Sequence, residues 1–293
     1  MRRVYFGHHK CASQYVKAVF LDATARLGMR PSHVDGLSQE LPLDYHLQDV
    51  WRERLAQRRT QLLTGSAVTL CLINADAEAV GLLEERGDYR GFHVIRDPRD
   101  ILVSAYFSHR YSHPRVAEEH WIAEFRRRLS TVPDVESGLL LEMEFCATYF
   151  HHLATWDYAN PNIYETRFER LVADPEQEFT HSLNHLGVAT PRLGLTTLAE
   201  FALHSRLWRR LGRQRRQRTT LPQPMLRRIL RRHTFARLSQ GRRPGEEDAH
   251  HHYRKGAPGD WRNYFSPSMT DLFKARYGAL LIQLGYEADL NWS

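Results

Sequence analysis

Short apolar runs alternate with amphipathic stretches along this chain of 293 residues. Four runs rich in β-branched and aromatic residues are typical of buried strands, at 4–6, 67–74, 92–95 and 162–168. Between and after them, helical spacing of apolar positions predicts helices near 13–27, 46–62, 99–112, 116–130, 136–157 and 270–286. One more helix is expected after Asp174, which can cap it, with Pro175 at its first position. The alternation predicts an α/β fold with a central, mostly parallel sheet flanked by helices.

The length and composition favour one soluble domain over residues 1–293. No apolar run approaches the roughly 20 residues of a membrane span. The first strand begins by about Val4, so we expect no signal peptide ahead of it. Cys11, Cys71 and Cys146 are few and scattered, which is typical of a reducing compartment. These features together predict a cytoplasmic protein.

The net charge of +7 is concentrated in one segment of the chain. Residues 201–245 hold 14 arginines and neither lysine nor acid, which leaves −7 for the remainder. Such a segment is either a solvated face or a surface for an acidic partner, such as an anionic substrate, a carrier protein, a membrane or nucleic acid. The turn signals in "LGRQRRQRTTLPQP" indicate a loop or mobile flap, so we expect an Arg-rich insertion at about 205–250.

The stretch "FGHHKCASQY", residues 6–15, combines a strand end, a lysine and a helix start. A strand, a tight loop and a helix N-terminus together make an anion site. A nucleoside triphosphatase is disfavoured, because His9 and Cys11 stand where its phosphate loop needs glycine and the metal-binding hydroxyl. The loop therefore suits a nucleotide whose transferred group needs no Mg²⁺.

Two later stretches also carry cations at predicted turns. In "FHVIRDPRDILVSAYFSH", Arg96 ends a strand, and Ser104 lies two turns into the following helix on the same side as Asp100. The structural alternative for Arg96 is an ion pair with Asp97 or Asp100. In "YRKGAPGDWRNYFSP", two cations stand beside two glycines, a composition that can wrap a phosphate.

These stretches, in this order, resemble the cofactor-binding elements of the sulfotransferases that use 3′-phosphoadenosine 5′-phosphosulfate (PAPS). "HHKCASQY" resembles the phosphosulfate loop, "RDPRDILVS" the 3′-phosphate motif and "RKGAPGDWRNYF" the late R-K-G-x-x-G-D-W loop. "YETRFERLVADPEQEF" resembles the segment between them. The resemblance spans residues 4 to about 284. It implies the P-loop-like sulfotransferase fold, of bacterial type, with PAPS as co-substrate and no required metal.

The resemblance also implies residue roles. Lys10 would contact the 5′-phosphate and the oxygen that bridges to sulfur, and Tyr15 stands where the family often has a tryptophan that stacks on adenine. The other expected cofactor contacts are Ala12, Ser13 and Gln14 at the helix start, and Arg96, Ser104, Arg254, Lys255 and Gly256 around the 3′-phosphate. Ala12 replaces the usual glycine and Gln14 a hydroxyl, which are departures from the family pattern.

The implied reaction is in-line transfer of a sulfuryl group to an acceptor oxygen or nitrogen, with 3′,5′-adenosine bisphosphate (PAP) as the product. Lys10 suits stabilisation of the leaving charge. Many members supply the base from a K-T-H motif, but "LCLINADAEAV" has no histidine. The candidate bases are Asp76, whose alternative role is to cap a helix, and His9, with Glu142 and Glu144 as further possibilities.

Two other functions remain open from the residues alone. Metal binding would use His8, His9 and Cys11, or the histidines at 250–252, but neither cluster has zinc-site spacing. Nucleic-acid or acidic-partner binding would use the Arg-rich segment, on a fold that has lost catalysis. No kinase motif is present. We expect a small-molecule or glycoside acceptor, either anionic or carrier-bound, with the Arg-rich segment as a flap in which Arg215 and Arg216 contact it; nucleic acid is not expected.

Overall fold

The computed structural model describes residues 1–29, 31–35, 53, 56–60, 62, 69–113, 120–191 and 218–292. Its centre is a sheet of five strands in the order β2-β3-β1-β4-β5. The strands are β1 (Arg2–Gly7), β2 (Pro31–Asp35), β3 (Thr69–Ile73), β4 (Tyr89–Ile95) and β5 (Ile163–Arg167). All neighbouring pairs are parallel, so that Tyr5 lies between Cys71 and Phe92. The predicted α/β architecture is confirmed.

Helices follow the strands and account for most of the remaining described residues. The first five are α1 (Ser13–Arg26), α2 (Ala77–Arg86), α3 (Pro98–Phe107), α4 (His120–Thr131) and α5 (Val135–Phe145). The others are α6 (Ala147–Thr155), α7 (Phe168–Ala173), α8 (Pro175–His185), α9 (Gln223–Arg232), α10 (Phe235–Leu238) and α11 (Pro267–Gln283). A π-helical turn spans Ser108–Ser112 and a 3₁₀ turn spans Asp260–Asn263. No helix among the described residues has both the length and the apolar character to cross a bilayer.

The alternation of side chains along β1 explains why the sheet is covered on both faces. Tyr5 packs into a layer with Phe20 of α1 and Phe179 of α8. Val4 and Phe6 point the other way, into a layer that includes Leu83 of α2. Because successive strand residues face opposite sides, a continuous apolar run such as "VYF" is buried on both.

The sequence predicted most elements but missed β2. Its residues, "PSHVD", include few strand formers, and the strand lies at the sheet edge beside β3. The predicted helix at 46–62 lies largely outside the described residues, although 53, 56–60 and 62 are helical. The N-cap at Asp174 is confirmed, because its carboxylate accepts from the Gln177 N–H at 3.0 Å.

Two predicted helices are divided in the structure. The stretch 99–112 is α-helical only to Phe107 and then widens into the π-helical turn. The stretch 136–157 breaks into α5 and α6 at Cys146, where no glycine or proline signals a break. The C-terminal helix begins earlier than predicted, because Ser266 caps it and Pro267 occupies its first position.

Part of the Arg-rich segment is a packed helix, which corrects the expectation of a flap there. Residues 205–217, including Arg215 and Arg216, lie outside the described residues. Helix α9 buries Leu226, Ile229 and Leu230 and contacts α1 and α8. This burial fixes the helix against the body of the protein.

The late loop, residues 254–261, is held against α3 by hydrogen bonds to the carboxylate of Asp100, which is 1% exposed. One oxygen accepts from the backbone N–H of Gly259 at 2.6 Å and the other from that of Trp261 at 3.0 Å. Arg99 lies beside it, between the rings of Trp261 and Trp292 at 4.0 and 4.5 Å. The loop at 254–261 is thereby held at the start of α3.

Asp100→Ala should lower the free energy of unfolding by about 1–3 kcal/mol, because two buried backbone donors would lose a charged acceptor. Urea unfolding followed by circular dichroism measures this change. Asp271→Ala on the exposed face of α11 is the control and should change stability by less than about 0.5 kcal/mol. Equal destabilisation by both variants would contradict the role given to Asp100.

Candidate active site

One cavity of about 1620 Å³ opens where the loops after β1, β3 and β4 meet. The carboxyl ends of parallel strands converge at one edge of a sheet, so loops far apart in sequence share this space. Helices α9 and α10 and the late loop complete its walls. The residues expected to contact the cofactor all line it: Lys10, Ala12, Ser13, Gln14, Tyr15, Arg96, Ser104, Arg254, Lys255 and Gly256.

The loop after β1 has the backbone shape of an anion site. Lys10 and Ala12 both adopt left-handed conformations, with φ of 57° and 58°. Ala12 is the N-cap of α1, and no side chain caps that helix or places a carboxylate in its first turn. The first amides of α1 therefore remain open to a bound anion, and the helix dipole favours negative charge there.

Arg96 joins the loop after β4 to the loop after β1. Its guanidinium donates to the Lys10 carbonyl oxygen at 3.1 Å and lies over the Phe168 ring at 4.4 Å. The contact with Asp100 is long, at 3.9 Å, and Asp97 pairs instead with Arg99 at 2.8 Å. The ion-pair alternative therefore rests on one long contact, and the buried Nε of Arg96 has no hydrogen-bond partner among the described residues.

The cations of the late loop are held by two acids. Arg254 pairs with Glu247 at 2.6 Å and with Asp260, and Lys255 pairs with Asp260 as well. The Arg254 and Lys255 contacts lower the pKa of the Asp260 carboxyl, against the opposing effect of its burial. These pairs fix the two side chains in place before any anion arrives.

Gly256 occupies a position that no other residue fits. Its φ is +65°, in the left-handed region that favours glycine. A Cβ built there would approach the Phe235 ring to 2.3 Å. The glycine thus lets the backbone of the late loop pack against an aromatic side chain of the cavity wall.

Lys10 is surrounded by other cations. Burial lowers its pKa to about 8, with a further lowering by Arg96 and a partial opposing effect from Glu142. A buried ammonium with neighbouring guanidinium groups is stabilised when an anion binds beside it. The low pKa of Lys10 is therefore consistent with an anion site in this loop.

The structure does not support Asp76 as the base. Its carboxylate is fully buried and accepts from the Ala79 N–H at 2.8 Å, as the N-cap of α2. Asn74 lines the cavity from the loop after β3, whereas Asp76 is not among the described residues that line it. The requirement for an α2 cap explains the aspartate, and an amide such as Asn74 cannot accept a proton at neutral pH.

His9 lines the cavity next to Lys10. Its ring stacks on Tyr149 at 4.4 Å and on His109 at 5.1 Å. Burial, together with the positive potential of His109, Lys10 and His113, lowers its pKa well below the usual value. The imidazole is therefore neutral at pH 7, and its Nε2 has no hydrogen-bond partner among the described residues.

The His109 ring, which stacks on His9, is held by a buried pair with Glu142. His109 and Glu142 are both fully buried, with 2.8 Å between Nδ1 and Oε1. The Glu142 carboxylate also accepts from the Cys146 thiol at 3.6 Å. Glu142 is thus committed to His109, whereas Glu144 is exposed and pairs with Arg276, so neither is placed to act as the base.

The sequence did not single out several cavity residues. Phe168 and Phe235 supply aromatic walls, and His113 and His252 add imidazoles. Burial, and to a smaller extent the charge of Lys10, lower the pKa of His252 to about 4. The segment "YETRFER" resembles the family and could therefore have indicated Phe168. Nothing in the local sequence pattern indicated that His113 lies near His9.

The metal interpretation finds no geometric support. His8 is fully buried against His93 and Trp156, whose rings lie at 4.7 and 5.5 Å. Within the part of the chain that the structure describes, no three His, Cys, Asp or Glu residues are grouped as metal ligands.

The sequence profile described as Sulfotransferase domain matches residues 88–285, about two thirds of the chain. The match begins just before β4, so the loop at 7–15 lies outside it. No curated protein sequence matches the chain.

Solved structures share the fold. Mouse sulfotransferase SULT7A1 complexed with PAP has a TM-score of 0.56 at 12% identity, over 96% of this chain and 84% of that chain. Retinol dehydratase with retinol and PAP has a TM-score of 0.52 at 15% identity, over 96% of this chain and 82% of that chain. Its structure with androsterone and inactive cofactor PAP gives 0.50 at 17% identity, over 96% and 81%. With the profile match over most of its length, this chain belongs to the sulfotransferase domain family.

Proposed function

We propose that the protein transfers a sulfuryl group from PAPS to a hydroxyl or amine of a small-molecule acceptor. The observation that carries this proposal is the meeting of two cationic groups of residues in one cavity. We assign Lys10 and the start of α1 to the 5′-phosphosulfate, and Arg96, Ser104 and the late loop to the 3′-phosphate, since all of them line this cavity. Two separated anchors fix both ends of the nucleotide and so orient the sulfuryl group.

Transfer is an in-line displacement. The acceptor oxygen or nitrogen forms a bond to sulfur while the bond from sulfur to the bridging phosphate oxygen breaks, and PAP leaves with the electron pair. By analogy with phosphoryl transfer, negative charge builds on that bridging oxygen. The Lys10 ammonium, held in a largely desolvated loop, stabilises this charge.

His9 is the proposed general base. It precedes Lys10 in the same loop, lines the cavity and is neutral because burial lowers its pKa. Stacking on Tyr149 and His109 fixes the plane of its ring. The acceptor proton would pass to this imidazole as the bond to sulfur forms.

The sheet order suggests the side from which the acceptor approaches. The nucleotide anchors follow β1 and β4, whereas His33, Ile73 and Asn74 line the cavity from β2 and the end of β3, on the opposite side of β1. An acceptor on that side would meet the polar side chains of His33 and Asn74. We further propose a cytoplasmic location, which the three free, buried cysteines support.

A nucleic-acid-binding protein that has lost catalysis is less favoured. Two arginines of the described part of the Arg-rich segment are committed to acids, Arg227 to Glu176 at 2.7 Å and Arg232 to Asp22 at 3.6 Å. Membership of the sulfotransferase family and the intact anion loop both favour the enzyme.

Calorimetric titration with PAP, without Mg²⁺, tests the function. Lys10→Ala and Arg96→Ala should each weaken binding by about 10- to 100-fold, because a hydrogen bond to a charged group contributes about 1.5–3 kcal/mol. Arg128→Ala, an exposed residue of α4, is the matched control and should leave affinity unchanged. Failure of the unaltered protein to bind PAP, or to release PAP from PAPS with any acceptor of a broad panel, would reject the proposal.

PAP affinity should fall as the pH rises above 8. The free protein loses the Lys10 proton through its pKa of about 8, whereas the bound phosphate raises that pKa, so binding takes up a proton. The dissociation constant should be lowest near pH 7 and rise above pH 8 by up to about tenfold per pH unit. In Lys10→Arg the charge is permanent and the slope should disappear. An equal slope in that variant would assign the pH effect to another group.

His9→Asn should lower kcat by about 10²- to 10⁴-fold and leave PAP affinity within about threefold, because it removes the base and keeps a polar side chain in the loop. Steady-state kinetics and calorimetry together separate the two effects. Asp76→Asn is the comparison variant, since asparagine can still cap α2, and its kcat should stay near normal. The reverse result, with Asp76→Asn inactive and His9→Asn active, would restore Asp76 as the base.

A further inference from the structure

Helix α9 presents a row of arginines on its exposed side. Its apolar side chains face α1 and α8, so the four arginines at 227, 228, 231 and 232 are directed to solvent, one turn apart. Arg227 and Arg232 have carboxylate partners. Arg228 and Arg231 have none within the described part of the chain.

Two arginines of this row lie at the rim of the cavity. Arg227 and Arg231 line it from α9, and Lys17 lines it from the adjoining helix α1. Two described carboxylates, Glu169 and Glu176, line the cavity, against seven lysines and arginines. Glu169 accepts from the Asp97 N–H at 3.1 Å and from the Tyr286 hydroxyl at 3.0 Å, and Glu176 pairs with Arg227.

The rim therefore carries excess positive charge, from groups that the anchoring of the nucleotide does not use. The proposed ligand is strongly anionic, since each of the two phosphates of PAP carries a charge of about −1.5 to −2 at pH 7. Charges near a cleft raise the rate at which an oppositely charged ligand enters, by about 10- to 10³-fold in favourable cases. Their reach is the Debye length, about 8 Å at physiological salt.

We propose that the exposed arginines of α9 form an electrostatic entry surface that captures the nucleotide and guides it into the cavity. This inference rests on the proposed function. It predicts that Arg228 and Arg231 govern the association rate of the nucleotide, while the buried anchors govern its dissociation rate. An acidic protein partner on the same surface is the competing possibility, but Arg231 and Arg227 are part of the cavity lining, which favours the small anion.

The test is stopped-flow association of a fluorescent etheno-adenine analogue of PAP. Arg228→Glu and Arg231→Glu should each slow association by about threefold to tenfold at about 10 mM salt and change dissociation by less than about twofold. At about 1 M salt the difference from the unaltered protein should vanish. Arg128→Glu on α4 makes the same charge change away from the cavity lining and should slow association much less.

Three outcomes would overturn the proposal. Equal slowing by Arg128→Glu would mean that only net charge matters. An unchanged association rate with faster dissociation would make Arg231 part of the binding site itself. Normal association in all three variants would leave the α9 arginines for an acidic protein partner. In each case the unaltered protein still binds the analogue, whereas complete absence of binding would reject the proposed function as well.

Discussion

The site depends on hydrogen bonds from one short stretch, residues 96–100, to both of the other loops. Arg96 donates to the Lys10 carbonyl oxygen, and Asp100 accepts from the Gly259 and Trp261 amides. One strand end thus positions both the loop after β1 and the late loop. Asp100 is buried, and both of its partners are backbone amides of the late loop.

The second constraint is the concentration of like charge. Lys10, Arg96 and Arg254 lie close enough for Arg96 and Arg254 to lower the Lys10 pKa. Asp260 and Glu247 neutralise part of this charge, at the late loop. The remaining positive charge lies between the loop after β1 and the end of β4. A bound anion would relieve the repulsion between these cations. The protein thereby holds its cations ready for the ligand, so that little reorganisation is needed during transfer.

Aromatic and imidazole rings form the side of the cavity next to Lys10. His9, stacked on Tyr149 and on His109, is neutral because it is buried among cations, and His109 in turn is fixed by Glu142. The loop after β3, where many relatives are expected to hold a histidine, instead supplies Asn74 to the cavity and Asp76 to the cap of α2. The residue that we propose as the general base, His9, therefore lies in the loop after β1 and not in the loop after β3.

The sequence by itself determined the α/β alternation, the positions of four of the five strands and the order of three anion-binding motifs. Those features are local: apolar periodicity, Asp97 and Asp174 at helix starts, and a lysine between a strand and a helix. The tertiary structure decided that β2 pairs at the sheet edge, that "QPMLRRILRR" packs as a helix, and that Asp76 caps α2 while His9 lines the cavity. These outcomes depend on which side chains are buried together, and burial is set by contacts between residues far apart in the chain, which no local pattern encodes.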